Sequence, residues 1–404
     1  MSIFYLIFIG LCLYFCYRYD GIEEYDSHKQ HRLWMMCVYM ILLTGFSYGL
    51  GGDKFVYMRE FDGYPETFTE ASDYIFLQFM LKGQMPLWTL LNLFSKSVFH
   101  SFYAVQIIQS TAINTAVCYI ASKYTHRYFL FLLIYFFSLQ YFVLNTEVMR
   151  EGLALSFVLI GMHCYLIGRK WLYILLLLMG LLFHISAFIG ILFLFTNIKV
   201  SWKTLAIAFF TAFAIWLLSD LLLGKVMIAV LGGMGAMVEK VLFYSIQAST
   251  IFGFLRSTIT FIIFPFIIMY TAMLNETDEE RRKKMERMIV YMLYLGILAS
   301  SFAGLARFYN YVRIFYLVLF AEFIYTFFWD KKLFILRMGT LVGTTFLIML
   351  QYMISYETTG THYYDFFYPY TCILNEDKSV YFRDVAHSEA VEGEISDNNV
   401  RNIE

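Results

Sequence analysis

The sequence predicts an all-α integral membrane protein whose helices cross the bilayer many times. Of its 404 residues, 60% are hydrophobic and only 15% are charged, and the mean hydropathy is +0.62. A soluble chain of this composition would have too little polar surface to cover itself. Apolar runs recur along the whole sequence, most of them close to the roughly 20 helical residues that span a hydrocarbon core. The net charge of −1 excludes the basic face that nucleic-acid binding needs.

About ten spanning helices are expected, because ten apolar runs are separated by polar or charged segments. They are Ile3–Cys16, Leu33–Leu50, Phe99–Ile120, Tyr128–Leu144, Gly152–Ile167, Thr204–Leu223, Ile251–Met273, Met288–Ala303, Tyr311–Phe328 and Leu333–Ile354. We expect residues 1–354 to form one transmembrane domain with extracytoplasmic loops. Residues 355–404 are polar and become acidic, so a mobile carboxyl-terminal tail that is dispensable for chemistry is expected.

Clusters of Lys and Arg predict the orientation. They lie at 18–32, 123–127, 169–170, 199–203, 281–287 and 331–337, which the positive-inside rule assigns to the cytoplasm. Four tryptophans lie beside these clusters, as an interfacial belt requires: Trp34, Trp171, Trp202 and Trp329. The segments 51–97, 145–151, 224–250 and 306–310 are then expected on the extracytoplasmic side.

The apolar stretch Trp171–Phe195 is predicted to enter the bilayer and return. A single crossing would place the basic run 281–284 outside, against the strongest charge signal in the chain. The turn near His184 would then lie within or near the outer leaflet, where irregular backbone must be covered by protein or line a wet cavity. A kinked single span is the alternative.

A charged stretch, Asn145–Glu151, separates two of the predicted spans. A charge near lipid costs about 2.5–3.5 kcal/mol on insertion scales, so these residues are expected to line a site, hold a partner or lie at a membrane face. We expect Thr146 to cap the next helix, which would place Arg150 beside the positive helix end, where an anion is favoured. The alternative is an Arg150 paired with Glu147 or Glu151.

Further arginines are expected on the same side. Arg307, Asn310 and Arg313 are spaced by three residues and form a polar string at the outer end of one helix. Arg256 is a fourth candidate cation. A guanidinium can donate two parallel hydrogen bonds to phosphoryl oxygens, so these residues suit a diphosphate.

Asp53 and His184 are the candidate proton acceptors, and the sequence does not choose between them. Asp53 could instead bind a metal, with Asp62 and Asp73 available nearby, but their spacing is not diagnostic and a metal-independent site without a cofactor is expected. Glu322, and the amides of Gln106, Gln109 and Asn114, are expected to be structural. The six cysteines lie singly and are interpreted as small core residues.

Several motifs together resemble the EpsG family of membrane proteins, which is related in role to Wzy polysaccharide polymerases. The matching elements are Gly51-Gly52-Asp53 with Tyr57, Pro86-Leu87-Trp88, Met149-Arg150-Glu151, Leu182-Phe183-His184, and Arg307 with Tyr311. The resemblance covers roughly residues 50–328 and is most specific between Glu147 and Phe195. Many members carry glutamine where this chain has Glu151, which argues against an essential carboxylate there.

The resemblance implies a fold similar to GT-C-type membrane glycosyltransferases and a polymerase acting at the outer face of the inner membrane. Its substrates would be oligosaccharide repeat units on undecaprenyl diphosphate, assembled into capsular, exopolysaccharide or O-antigen-type polymer, with a chain-length regulator as a further partner. Arg150 and Arg307, with Arg256 or Arg313, would hold the diphosphate, and His184 or Asp53 would accept a proton. The alternative function is a lipid-linked oligosaccharide flippase or polysaccharide exporter that makes no bond.

Overall fold

The computed structural model describes residues 3–69, 71–218, 250–326, 363–374 and 378–385. Within these ranges the chain is helical, and its only β-type pairing is an isolated bridge between Ser47 and Cys372, so the all-α prediction is confirmed for the described residues. The predicted span Leu333–Ile354 lies outside them, as does most of the 224–250 segment.

The described α-helices are numbered in chain order. They are α1 (Ile3–Tyr19), α2 (Ser27–Gly45), α3 (Asp53–Asp62), α4 (Ala71–Lys82), α5 (Pro86–Phe99), α6 (Phe102–Tyr124), α7 (Tyr128–Phe137), α8 (Gln140–Phe142), α9 (Met149–Leu166), α10 (Lys170–Phe183), α11 (Trp202–Leu217), α12 (Ile251–Leu274), α13 (Glu279–Ser301) and α14 (Asn310–Ile324). Short 3₁₀ helices lie at Ile185–Phe195, Ala303–Tyr309, Tyr363–Phe366 and Lys378–Tyr381.

The membrane character of the chain is visible in its helices. By length and composition, α6 and α12 can each cross a membrane, and the bent pair formed by α7 and Gln140–Glu147 would make a third span. Helix α12 contains a π turn, Ile259–Ile263, immediately before Pro265. Proline removes one backbone donor, and a π turn accommodates that loss within a continuous helix.

The predicted span Tyr128–Leu144 is a bent helix pair and not one straight helix. The chain bends by 81° between α7 and Gln140–Glu147. Leu139 at the bend has a φ of +54°, a left-handed conformation that ends α7. The bend carries the polar residues 140, 145, 146 and 147 into the interior, where all four are buried.

The stretch Trp171–Phe195 folds back on itself, as expected for the re-entrant interpretation. Helix α10 ends at Phe183, and the 3₁₀ helix after His184 runs antiparallel to it: Tyr173 donates to the carbonyl of Gly190, and its ring lies 6.3 Å from that of Phe193. Gly180 packs against Ala187 near the turn. His184 therefore lies at the tip of a hairpin.

The segment expected as a long outer loop, residues 51–97, is mostly helical. Helices α3, α4 and α5 occupy it. Helix α4 has no buried residue and exposes a set of large apolar side chains: Phe76, Leu77, Phe79, Met80 and Leu81. This helix therefore presents an apolar surface instead of a polar loop.

Buried amides hold the helices together, as predicted. Gln106 of α6 donates to the carbonyls of Thr44, Gly45 and Ser47 at 2.7–2.9 Å. Gln109 donates to the carbonyl of Leu144 at 2.8 Å, and Asn114 donates to Asn145 at 2.9 Å. Five of the six cysteines are buried without a disulfide, and Cys372 is partly exposed.

Charged residues form an ion network at one end of the bundle. The carboxylate of Glu322 accepts from Thr125 and from the backbone of His126, and it pairs with Arg127 at 3.4 Å and Arg281 at 3.7 Å. The structural interpretation of Glu322 is therefore confirmed. Asn310 begins the same helix, α14, so the candidate site described below lies at the opposite end.

The segment after residue 355 was expected to be a mobile tail, but residues 363–374 and 378–385 pack onto the bundle. Tyr5 donates to the carbonyl of Phe367 at 3.0 Å, and Phe367 stacks on Phe142 with ring centroids 5.0 Å apart. Arg383 is completely buried. This carboxyl-terminal segment, as we call these two ranges, is thus part of the fold.

Candidate functional site

Glu147 connects the broken helix to the start of α3. Its carboxylate accepts from the backbone N–H of Gly52 at 2.8 Å and of Asp53 at 3.2 Å. Free N–H groups at a helix start favour such an anion. Asp53 is thereby fixed at the first position of α3.

Gly51 permits this approach. Its φ is +87°, and a Cβ atom placed there would lie 2.7 Å from both Oε1 of Glu147 and Oγ1 of Thr146. The Gly51-Gly52-Asp53 motif is therefore explained by close packing of backbone against a carboxylate.

The helix after Asn145 begins differently from the prediction. Thr146 does not cap α9; its hydroxyl donates to the carbonyl of Phe142 at 2.8 Å, within the π turn Val143–Glu147. Helix α9 starts at Met149 after Val148, which has no capping side chain. Arg150 nevertheless lies in the first turn of α9, as predicted.

Tyr57 lies at the centre of the charged residues. Its hydroxyl donates to the carbonyl of Glu147 at 3.2 Å, and its ring lies 5.2 Å from the Cζ of Arg150. Burial raises the pKa of Tyr57 to about 12, with the cations Arg150 and Arg307 acting against this rise and Asp53 adding to it. Asp53, Arg150 and Arg307 are therefore near enough to Tyr57 to influence its hydroxyl electrostatically.

Arg150 is not paired with either neighbouring glutamate, so the alternative considered from the sequence does not hold. Glu147 binds the backbone of α3, and Glu151 binds Arg307 and Asn310. Within the described parts of the chain, no carboxylate lies within 4.0 Å of the guanidinium of Arg150. Its guanidinium lies over the ring of Tyr57.

Glu151 organises the polar string from the second half of the chain. Arg307 approaches Oε2 at 3.3 Å, and Asn310 donates to Oε1 at 3.0 Å. The side chain of Gln140 links Asn310 to Arg313. Its Nε2 donates to Oδ1 of Asn310 at 3.3 Å, and its Oε1 accepts from Arg313 at 2.7 Å. The predicted residues Arg307, Asn310 and Arg313 are therefore brought together, with Gln140 as an unpredicted connection.

His184 joins the same region through hydroxyl groups. Its Nδ1 accepts from the backbone N–H of Ser186 and lies 2.5 Å from Ser186 Oγ, which is 2.8 Å from the hydroxyl of Tyr311. Tyr311 follows Asn310 in α14. Because Nδ1 is an acceptor, the neutral ring carries its hydrogen on Nε2.

Arg256 is the one predicted cation that is not brought into this set. It is exposed on α12, and no polar contact among the described residues joins its side chain to Arg150, Arg307 or Arg313. The described ranges also contain no group of three or more His, Cys, Asp or Glu side chains that could hold a metal ion.

The residues that sequence reasoning missed are Tyr57, Gln140, Ser186 and Tyr311. Tyr57 and Tyr311 belong to the motifs quoted above, so the signal was present without a role. Ser186 lies two residues after His184, where a hydroxyl can bond the preceding side chain. Gln140 had no local signal, because its position depends on the bend at Leu139.

A comparison with protein families identifies the group to which these motifs belong. The model of the EpsG family matches residues 32–372. The chain belongs to the EpsG family. The match covers the site and continues into the carboxyl-terminal segment, beyond the range 50–328 expected from the motifs. No curated protein and no solved structure matches this EpsG-family chain.

Proposed function

We propose that this EpsG-family protein polymerises oligosaccharide repeat units carried on undecaprenyl diphosphate, by glycosyl transfer at the outer face of the inner membrane. The product would be a capsular, exopolysaccharide or O-antigen-type polysaccharide. Family membership supports a role in polysaccharide polymerisation. The convergence of an acid, two arginines and a histidine from four parts of the chain supports an enzyme.

One observation carries the proposal. The guanidinium of Arg150 lies 5.2 Å from the centre of the Tyr57 ring, and no carboxylate of the described residues lies within 4.0 Å of it, although Glu60 acts on it from a greater distance. A half-buried arginine without a direct ion pair is suited to an anionic ligand. A diphosphate leaving group would be such an anion.

The proposed reaction forms one glycosidic bond and breaks one bond to phosphate. A hydroxyl oxygen of one repeat unit attacks the anomeric carbon of another. The bond from that carbon to the diphosphate oxygen breaks, and undecaprenyl diphosphate leaves with the electron pair. Arg150 and Arg307, with Arg313 behind them, would stabilise the charge on the leaving group, and a general base would take the hydroxyl proton.

The hydrogen-bond pattern favours Asp53 over His184 as that base. With Nδ1 bonded to the N–H of Ser186, a neutral His184 can offer only its Nε2 hydrogen to a substrate. It would then donate to a sugar or phosphoryl oxygen. Asp53, at the start of α3 and near enough to act on Tyr57, is an acceptor in its ionised form.

The membrane arrangement is part of the proposal. We place ten spans in the inner membrane, in a fold of the GT-C type, with the site on the extracytoplasmic side and the Glu322 network in the cytoplasm, as charge distribution indicates. The apolar surface of α4 would lie against the outer leaflet. Lipid carriers could then reach Arg150 sideways without their chains crossing water. A chain-length regulator is a further proposed partner.

The alternative is a flippase or exporter that binds the same lipid diphosphate without forming a bond. Purified protein in detergent separates the two, because detergent removes the two membrane sides. We expect purified lipid-linked repeat units to give a ladder of longer glycans with the wild-type chain and none with Arg150→Ala. Binding of the lipid without lengthening would favour the alternative and contradict polymerisation.

A further inference from the structure

The carboxyl-terminal segment is paired directly with the backbone that leads into α3. The N–H of Tyr48 donates to the carbonyl of Thr371 at 2.9 Å, and the N–H of Ile373 donates to the carbonyl of Phe46 at 3.0 Å. These bonds flank the bridge between Ser47 and Cys372. The segment thus adds a short antiparallel strand pair immediately before the Gly51-Gly52-Asp53 motif.

Arg383 adds a further hydrogen bond between the carboxyl-terminal segment and the loop before α3. Its side chain is 0% exposed and donates to three carbonyls: Gly49 at 2.8 Å, Pro369 at 2.6 Å and Asp365 at 3.0 Å. One guanidinium therefore joins both described parts of the segment to the loop before α3. We call these three hydrogen bonds of Arg383 the clamp. Burial lowers the pKa of Arg383 to about 10, so the group remains charged at neutral pH.

The loop that the clamp binds, Gly49–Asp53, also carries the N–H groups that bind Glu147. Gly49 packs between Phe55 and Val380, where an added Cβ would lie 2.7 and 2.9 Å from their side chains. The N–H of Gly51 donates to the carbonyl of Phe366 at 2.9 Å. The next two N–H groups, of Gly52 and Asp53, bind Glu147. Movement of the segment would therefore move Asp53 and Glu147.

We propose that Arg383 is a positioning residue for the glycosyl-transfer site, acting through the Gly49–Asp53 backbone on Glu147 and Asp53. This inference rests on the proposed function for its activity readout. It assigns a catalytic purpose to a part of the chain that the sequence suggested was dispensable. Among the described residues, Arg383 donates its hydrogen bonds to backbone carbonyls and lies over the ring of Phe382, and it is not expected to contact substrate.

The first test substitutes Arg383 in the full-length protein. A misplacement of about 1 Å can lower a rate by about 10²-fold, so Arg383→Gln should lower kcat by about 10- to 100-fold while KM for the lipid-linked repeat changes little. Arg383→Lys, which keeps one charged donor, should recover part of the rate. The matched control is Arg59→Gln, which removes an exposed ion pair to Asp384 on the same segment and should leave kcat unchanged. Wild-type kcat in Arg383→Gln would overturn the proposal.

The second test replaces the clamp with a covalent bond. Ser47 and Cys372 are a non-hydrogen-bonded antiparallel pair, in which Cα atoms lie about 4.5 Å apart, a spacing that a disulfide can bridge. The other five cysteines are buried. In the Ser47→Cys, Arg383→Gln double variant, oxidation should restore most of the lost kcat, and reduction should remove it again. Ser47→Ala controls for the lost hydroxyl.

The outcomes separate positioning from other roles. Oxidised Ser47→Cys alone should remain active; reversible inhibition by the disulfide would show that the segment must open during turnover and would overturn the proposal. Failure of the oxidised double variant to regain rate would also overturn it. A maleimide reaction at Cys372 needs no polymerase activity and should be faster in Arg383→Gln. If the wild-type chain makes no polymer, the proposed function fails. If Arg383→Gln and the wild-type chain label at Cys372 at the same rate, the result counts against the clamp alone.

Discussion

Both Nε and Nη2 of Arg307 lie 3.3 Å from the same carboxylate oxygen of Glu151. Glu151 is buried at the start of α9, whereas the Arg307 side chain is 38% exposed in the 3₁₀ turn before α14. The pair therefore joins two distant parts of the chain, and the Arg307 side chain stays partly exposed. The loss of stability on breaking the Glu151–Arg307 pair depends on which of the two residues is substituted.

Glutamine at position 151 is expected to be tolerated, and alanine is not. Glu151→Gln keeps an oxygen that can accept from Arg307 or Asn310, and the partly exposed side chain of Arg307 can still be solvated. Glu151→Ala leaves buried donors unsatisfied, which costs about 1–3 kcal/mol for each group. Thermal unfolding in detergent and polymer length should both be near wild type for glutamine and reduced for alanine. Equal loss in both variants would contradict this account.

Arg150→Lys should shorten or abolish polymer without lowering protein abundance. An ammonium keeps the charge but loses the two-pronged donor geometry. Loss of one preorganised donor to a developing anion typically costs about 10²- to 10³-fold in kcat. Glycan ladders and kcat in detergent provide the measurement. Arg282→Lys, exposed on α13, is the control and should behave as wild type; normal ladders from Arg150→Lys would remove Arg150 from the mechanism.

Gly51→Ala should disrupt the site more than a backbone change of the same kind elsewhere. Gly168 has nearly the same φ, +86° against +87°, but no atom lies within 4 Å of a Cβ added there. Both substitutions carry a left-handed strain of about 1–2 kcal/mol. Only Gly51→Ala pushes a methyl group against Glu147. We expect a larger loss of thermal stability for Gly51→Ala than for Gly168→Ala, because the clash adds to the strain, and a loss of polymer only for Gly51→Ala. Equal activities would show that the Glu147 contact is unimportant.

His184→Gln should retain more activity than His184→Ala. The glutamine amide can place a donor near the position of Nε2, which is the role inferred for the neutral ring, but it cannot accept a proton as a base. Loss of an active-site hydrogen bond is expected to lower kcat by about 10-fold for each 1.4 kcal/mol removed. The pH dependence of kcat provides the check. Equal inactivity of both variants would assign proton transfer to His184 instead.

Asp20→Asn should stabilise the protein above neutral pH. Asp20 is completely buried after α1, and burial raises its pKa from 3.8 to about 7, although Lys29 and the N–H groups of Leu130 and Phe129 oppose the rise. The folded state therefore holds the proton more tightly than the unfolded state. Its stabilising contribution is complete below about pH 4 and is lost as the pH rises towards 7.

Each pKa unit corresponds to about 1.4 kcal/mol, so ionised Asp20 costs a few kcal/mol at pH 8. Asparagine avoids this cost and keeps an oxygen for Leu130, whose N–H lies 2.8 Å from Asp20. Thermal unfolding at pH 8 should occur at a higher temperature in the variant than in wild type. At pH 5 the difference should be small. A pH-independent difference would contradict the raised pKa.

Local composition was enough to predict several features. The hairpin at His184 was predicted because a single crossing would have placed the basic run 281–284 outside the cell. The structural role of the amides Gln106 and Gln109 was predicted because they are polar groups within an apolar run. Arg150 was placed in the first turn of a helix although its supposed cap, Thr146, is elsewhere. These features depend on hydrophobic length and on the cost of burying charge, which the sequence states directly.

The tertiary structure decided how these groups meet. The clamp formed by Arg383 joins residues 334 positions apart, and the bend at Leu139 and the position of Arg256 outside the cluster are likewise seen only in the folded chain. A left-handed leucine or a buried arginine has no periodic signature, since each is stabilised by neighbours that only the folded chain supplies. The sequence by itself therefore determined a helical membrane protein with charges concentrated at particular helix ends. Which carboxylate binds which arginine was decided by packing, because a guanidinium can satisfy its donors equally well with Glu147, Glu151 or backbone carbonyls until the fold selects one.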